Sequence, residues 1–252
     1  MNGYSQDEII KRACQIVTYS RERDVTLRMV GGCAIHEHCP SLSNIHTNVL
    51  GRKFRDTDFI GLSDQIKDII RMFGDFGYAF DKYRSAFSES SLVLFAENEH
   101  VDIFLDKLIF NHTIDLRNRL GIDFPTISLA DLLLQKLQIV KVNEKDLHDI
   151  LILLAEHDIG ASDKETINSE YLSDLLCSDW GFYATCTANL VKLKDVFLER
   201  FPISNEIRSN AREKIDALLQ NLDSHSKSLS WKLRARVGTS AKWYADVEEH
   251  TR

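Results

Sequence analysis

The stretch from Val25 to Leu62 constrains this chain more than any other. It opens Val25-Thr26-Leu27-Arg28-Met29-Val30, β-branched and apolar, and runs into Gly31-Gly32 before a segment of helical character from Cys33 to His38. It closes Arg55-Asp56-Thr57-Asp58-Phe59-Ile60-Gly61-Leu62, a second strand that begins with two carboxylates one residue apart. Side chains alternate across a strand, so Asp56 and Asp58 leave one face about 6–7 Å apart along it. Like charges that close repel unless something positive lies between them, and a divalent cation is the usual solution. Glycines let the backbone turn tightly and bring its N–H groups up to a phosphate, and a helix starting at Cys33 adds positive potential there. A phosphate turn followed by a carboxylate pair points to a nucleotide-handling site. Arg52, Lys53 and Arg55 stand beside the carboxylates, either to meet a triphosphate or as solvated loop charges.

The remaining elements follow from caps and periodicity. Ser5-Gln6-Asp7-Glu8 is a capping box, and Ile9, Ala13, Ile16 and Val17 make the buried stripe of a helix of about 15 residues. Residues 40–54 read as a polar insertion ahead of the aspartate strand. Ser63 caps a helix with Ile66, Ile69, Ile70 and Phe73 inward, ended by Gly74 and Gly77. Residues 91–97 and 100–106 read as an antiparallel hairpin with Asp102, Phe104 and Asp106 on one face.

From Ile127 the pattern turns helical. One helix follows Ser128 and carries Leu132, Leu133, Lys136, Leu137 and Val140. A second starts near Glu144 with Ile150, Leu153 and Leu154 buried. A third is capped by Ser162 with Glu165, further periodicity spans 169–177 and 182–200, and a last clear helix follows Ser204 with Ile207, Ala211, Ile215, Leu218 and Leu222 inward. The expected fold class is α/β (α+β): a mixed sheet flanked by helices over residues 1–125, then a helical domain over 126–252.

The Gly-Gly turn, the Asp-x-Asp strand and a later acidic residue, Asp102 in Val101-Asp102-Ile103-Phe104, resemble the nucleotidyltransferase superfamily with its polymerase-β-like fold. The likeness is closest to the bacterial AbiE-type (AbiEii-like) toxin enzymes, which add a helix carrying lysine and a helix beginning Lys-Asp. Lys136 in Leu134-Gln135-Lys136-Leu137 and Asp146 in Lys145-Asp146-Leu147-His148-Asp149 match these two motifs. The likeness runs from residue 25 to about 155; the 40–54 stretch departs from it, since the family's glycines and aspartates usually stand closer together. The resemblance implies that Asp56 and Asp58 hold two Mg²⁺ ions and that Asp102 holds the catalytic one or serves as base. It also implies that Gly31, Gly32 and Lys136 bind the nucleotide and that Asp146 is an accessory residue, and the place of Arg55 beside the carboxylates adds it to the expected nucleotide-binding residues. Without it, Lys136 reads as a lysine snorkelling from an apolar helix, and Asp146 as a first-turn aspartate facing the helix dipole. Asp149 is a weaker candidate, and the three aspartates could be strand-end solubilisers.

Composition narrows the alternatives. At 252 residues with 44% hydrophobic and 27% charged side chains, the chain can bury one large core or two modest ones. Its net charge of −7 argues against a protein that coats nucleic acid. Five scattered cysteines argue against a disulfide framework, and no basic-then-apolar leader opens the sequence, so a cytoplasmic protein without a membrane segment is expected. Cys33, His36, His38 and Cys39 lie near one another, but on a helix His38 leaves the side that Cys33 and His36 share, which disfavours zinc. The Asp56–Gly61 run fails as an EF-hand loop, because Lys67 stands where a bidentate Glu is required. Near the C-terminus, Lys227, Trp231, Lys232, Arg234, Arg236, Lys242, Trp243 and Tyr244 form a stretch free of acids between 224 and 245. It suits RNA, by cationic contacts and base stacking, or a basic helix face docking on an acidic protein.

The function expected from all this is Mg²⁺-dependent transfer of a nucleoside monophosphate from an NTP to an acceptor hydroxyl. A toxin-like enzyme acting on tRNA, with a possible cognate antitoxin, comes first. A small-molecule, antibiotic-type adenylyltransferase is the alternative, followed by a non-catalytic relative that binds a nucleotide or a protein.

Overall fold

The structure, a computed structural model, describes residues 5–54, 56–85, 91–96 and 99–247. Arg55, one of the expected nucleotide-binding residues, lies outside the described residues. The chain divides into two compact units, one formed by residues 1–38, 53–109 and 114–128, the other by 39–52, 110–113 and 129–252.

In the first unit, α1 (Gln6–Arg21) starts at the expected capping box: the Ser5 hydroxyl accepts from the Glu8 N–H and the Glu8 carboxylate accepts from the Ser5 N–H. It buries Ile10, Ala13, Ile16 and Val17, with Ile9 only half-buried. β1 (Leu27–Val30) leads into α2 (Gly31–His38), which begins at the first glycine and not at Cys33. Gly31 has φ +76°, a conformation that side chains with a Cβ rarely adopt. β2 (Asp58–Gly61) follows, then a 3₁₀ turn at Ser63–Gln65 and α3 (Ile66–Asp75), which buries Ile69, Met72 and Phe73. Ser63 opens the 3₁₀ turn and does not cap α3, where Gln65 is the N-cap residue.

β3 (Ala79–Phe80), a helical turn α4 (Lys82–Ser85), β4 (Ser91–Ala96) and β5 (Glu99–Leu105) complete a sheet of order β1-β2-β5-β4-β3. β2 and β5 run parallel and the other pairs antiparallel, so the sheet is mixed. One of its faces is the core face: Leu27, Met29, Phe59, Val101, Ile103, Leu92 and Leu94 are all buried. Asp106 does not extend β5 as expected. It turns off at φ +60°, and its buried carboxylate accepts from the Ser63 N–H at 3.1 Å and from Arg117. β6 (Lys107–Ile109) and β7 (Thr113–Asp115) form a small ribbon that periodicity did not reveal. Three-residue strands leave too few alternations to show.

The second unit is helical, with one short parallel ribbon. α5 (Leu129–Leu137) is buried on nearly every side, α6 (Glu144–Glu156) is capped by Asn143, and β8 (Asp158–Gly160) pairs with β9 (Thr166–Asn168). No helix starts at Ser162. The chain turns there, with Glu165 at φ +57°, and α7 (Ser169–Leu176) is capped by Asn168. α8 (Trp180–Lys192) runs on into a π-helical turn over Leu193–Phe197. α9 (Asn205–Ser224) is capped by Ser204 and buries Ala211, Ile215, Leu218 and Leu222 as its periodicity predicts, with Ile207 only half-buried. α10 (Leu229–Val237) is a further helix, capped by Ser228. Among the described residues, no helix is long and apolar enough to cross a membrane, and the five cysteines are free thiols.

Candidate functional site

The aspartates of the first unit are placed by strand register. Val30 pairs with Asp58 across β1 and β2, Phe59 with Ile103 across β2 and β5, and Val93 with Asp102 across β4 and β5. One step back along the parallel pair, Asp58 stands level with Asp102. Paired residues share a face of the sheet, so both carboxylates project from the face opposite Phe59 and Ile103, a face that also carries the buried Val30 and Ile60, from strands about 4.8 Å apart. Their partial exposure between buried neighbours agrees: Thr57 and Phe59 flank Asp58 inward, and Val101 and Ile103 flank Asp102. Asp56 is also partly exposed and joins Arg12, Thr57 and His100 in lining a cavity of about 30 Å³.

The glycine turn adjoins this row. A Cβ built on Gly31 would lie 3.4 Å from Asp58 Oδ2. The Asp58 carboxylate therefore stands against the start of α2, where the helix dipole favours negative charge. Among the described residues, no group of three or more His, Cys, Asp and Glu side chains is gathered closely enough to hold a metal ion. The backbone thus supplies a row of carboxylates without drawing them into a cage. The four side chains weighed for zinc have other contacts: Cys33 Sγ lies 3.4 Å from the Asp56 carbonyl, the His36 ring packs on Phe54, and His38 meets Asp123 at 3.2 Å. Cys39 lies with the second unit, 3.7 Å from His157 Nε2.

The second unit gathers the two helical motifs around a residue the sequence ranked last. Lys136 Nζ lies 3.0 Å from Asp146 Oδ1 and 2.8 Å from Asp149 Oδ2. Asp149 is fully buried and also accepts from Arg52, through Nε at 2.9 Å and Nη2 at 3.2 Å, and lies 2.8 Å from His46 Nε2. Burial alone would raise the Asp149 pKa; Lys136, His46 and Arg52 outweigh it and hold the carboxyl well below the usual carboxylate range. Burial likewise opposes the Lys136 charge, and Asp149 and Asp146 more than reverse that, lifting the ammonium above the ordinary lysine value. Lys136 is therefore not a snorkelling lysine. Its charge is shared between two carboxylates.

Arg52 was expected beside Asp56 and Asp58; it forms a forked pair with Asp149 instead. The 40–54 stretch is not a free polar loop either. Its π-helical turn at Ile45–Val49 brings the fully buried His46 onto Asp149, and the Ser41 and Leu42 N–H groups donate to the Glu156 carboxylate at 3.0 and 2.9 Å. Asp149 and Glu156 are seven residues apart on α6, two turns along one face, so this helix clamps the segment at two points. The only sequence signal for it was the Asp146/Asp149 spacing of three, which puts both on one side of a helix.

The aromatic residues of the basic C-terminal stretch are engaged within the second unit. Trp231 packs edge-on against Tyr183, Trp243 against Trp180 and Tyr244, and Arg234 lies over the Trp180 ring. Trp243 Nε1 donates to Thr185 Oγ1 at 3.1 Å.

No family model and no curated protein matches this sequence. The chain is similar in structure to the antibiotic-resistance factor ANT(2'')-Ia in solution, with a TM-score of 0.41 and 12% identity over 68% of this chain and 95% of that one. It is also similar to the crystal structure of ANT(2'')-Ia in complex with adenylyl-2''-tobramycin, with a TM-score of 0.40 and 11% identity over 66% of this chain and 98% of that one.

Proposed function

We propose that the chain is a Mg²⁺-dependent nucleotidyltransferase that moves a nucleoside monophosphate from an NTP to an acceptor hydroxyl. The observation that carries this reading is the row Val30–Asp58–Asp102–Val93 across the sheet, with Gly31 at positive φ beside Asp58. Three carboxylates are the oxygen-only donor set that magnesium prefers, and the absent Cβ of Gly31 leaves room where a phosphate and a cation approach Asp58. The residues fit the ion by donor chemistry, and Asp58 and Asp102 by their level places on neighbouring strands. Bound magnesium would activate the attacking oxygen and neutralise the leaving pyrophosphate.

The chain's own residues then divide the work. Asp56, Asp58 and Asp102 hold the cation, and Gly31 and Gly32 offer backbone N–H groups to the triphosphate at the start of α2. Lys136, in the second unit, is committed to Asp146 and Asp149 and has no part in holding the phosphates. A small hydroxyl-bearing acceptor is favoured over tRNA, because the aromatic residues that were to stack on bases are occupied by Tyr183, Trp180 and Thr185.

The test is incubation with α-labelled NTPs and Mg²⁺, with total tRNA in one arm and hydroxyl-rich aminoglycosides in the other. Label on a small acceptor supports the reading, and label on tRNA restores the toxin-like one and reopens the question of an antitoxin. Asp58→Asn and Asp102→Asn should each abolish the signal. Saturable Mg²⁺·NTP binding without turnover in either arm identifies a non-catalytic relative. Absence of both binding and turnover rejects the proposal.

A further inference from the structure

α10 carries an apolar stripe on its outward face. Leu229 is 75% exposed, Leu233 53% and Val237 47%, at i, i+4 and i+8 of a nine-residue helix. Its other side is the one packed within the unit: Trp231 meets Tyr183, Arg234 covers Trp180, and the Ser228 N–H donates to the Cys177 carbonyl. At about 100° per residue, Lys232 and Arg236 fall along one flank of the outward stripe. Both are exposed, and among the described residues neither has an ion-pair partner. The other cations of this stretch are committed elsewhere. Lys227 binds the Leu222 and Asp223 carbonyls at the end of α9, Arg234 the Gly238 and Ala241 carbonyls, and Lys242 pairs with Asp246.

We infer that this face is a docking site for an acidic amphipathic helix of another protein, whose apolar residues cover Leu229, Leu233 and Val237 and whose carboxylates meet Lys232 and Arg236. The inference is independent of the nucleotidyltransferase reading. Charge complementarity selects the occupant. No acid lies between residues 224 and 245, and among the described residues no carboxylate pairs with Lys232 or Arg236, so a partner's carboxylates are their complement. A second copy of α10 does not supply it: antiparallel self-pairing sets like flank against like flank, and parallel self-pairing offers Lys232 and Arg236 no carboxylate. Nucleic acid would satisfy the cations and leave three exposed aliphatic side chains unmatched, with the nearby aromatics turned inward. A helix laid into an apolar stripe with a charged rim is an established mode of peptide recognition. Three anchors on a short helix suit a transient interface.

The probe is a fluorescent synthetic helical peptide with leucines at i, i+4 and i+7 flanked by glutamates, titrated into the full chain and followed by anisotropy. Its lysine-for-glutamate counterpart, fluorescent total tRNA, and phosphatidylserine vesicles serve as competing ligands. Saturable binding of the acidic peptide is expected. Leu233→Asp should weaken it by about tenfold or more, since a buried leucine is worth at least that. Lys232→Glu with Arg236→Glu should weaken it and invert the preference toward the lysine peptide, with added salt reducing the wild-type affinity. These side chains are exposed, so circular dichroism should show unchanged folding. No binding, equal binding of both peptides, indifference to Leu233→Asp, or preferential stripe-dependent binding of tRNA or vesicles would each overturn the inference.

Discussion

Replacing Asp149 by Asn removes one negative charge from the most buried polar cluster of the second unit. The carboxylate is wholly inaccessible, and Lys136 and Arg52 are only 11% and 13% exposed in their side chains. The substitution leaves two nearly buried cations facing a neutral amide. Breaking a buried ion pair by removing one partner costs about 3–5 kcal/mol, because the remaining charge stays desolvated without compensation. Here Asp146 still holds Lys136 at 3.0 Å, which places the loss near the lower end, about 3 kcal/mol. With a urea slope of about 2 kcal/mol per molar, the unfolding midpoint should fall by roughly 1.5 M. Tryptophan fluorescence reads it selectively, since Trp180, Trp231 and Trp243 all belong to the second unit. The surface pair Lys194–Asp216, with Asp216 55% exposed, supplies the control. Asp216→Asn should change stability by less than about 0.5 kcal/mol. Because the folded pKa of Asp149 is depressed, its contribution is fully present above the ordinary carboxylate range and is lost progressively as pH falls through that range and below it. The gap between wild type and Asp149→Asn should therefore be whole at pH 7 and persist at pH 4. A midpoint shift no larger than the control's would refute the claim that buried charge organises this unit.

Gly31→Ala should lower stability by about 1–2 kcal/mol, the cost of a Cβ in the left-handed region, measured by urea unfolding followed by circular dichroism. It should also reduce label transfer from NTP, because the new methyl abuts Asp58 Oδ2. Burial raises the Asp106 pKa, but hydrogen bonds from Arg117 and Ser63 outweigh it and bring it down to about 2, from an ordinary value of 3.8. Its contribution is whole above pH 3.8 and lost as pH falls toward 2, so Asp106→Asn should flatten that part of the stability–pH curve in urea titrations. Ser204→Ala removes the cap that accepts from the Ile207 N–H and should cost about 1 kcal/mol, visible as an earlier loss of tryptophan fluorescence.

Local chemistry made much of the first unit legible. The Ser5 capping box, the positive φ at Gly31 after β1 and the alternation along β5 as far as Leu105 each depend on neighbours within a few residues, although α2 takes in both glycines and Asp106 leaves the strand. The third-helix start at Ser162 was wrong because a capping residue is also a turn residue, and Asn168 took the cap instead. Asp149 was underrated for a different reason. An aspartate in an amphipathic helix looks the same on paper whether it faces water or a lysine, an arginine and a histidine, the last two about a hundred residues away.

The sequence by itself determined the capping box of α1, the strand-to-helix passage at the glycines and the inward stripe of α9, because these depend on the backbone periods of 2 and 3.6 and on local caps. Asp56, expected on the same strand face as Asp58, lies ahead of β2, which begins at Asp58. Only the tertiary structure decided that Asp102 stands level with Asp58, that the 40–54 segment folds onto α6, and that the tryptophans of the basic stretch turn inward. Strand pairing and ion pairing over long sequence separations are settled by burial and charge compensation across the whole unit, and no short window of residues contains that sum.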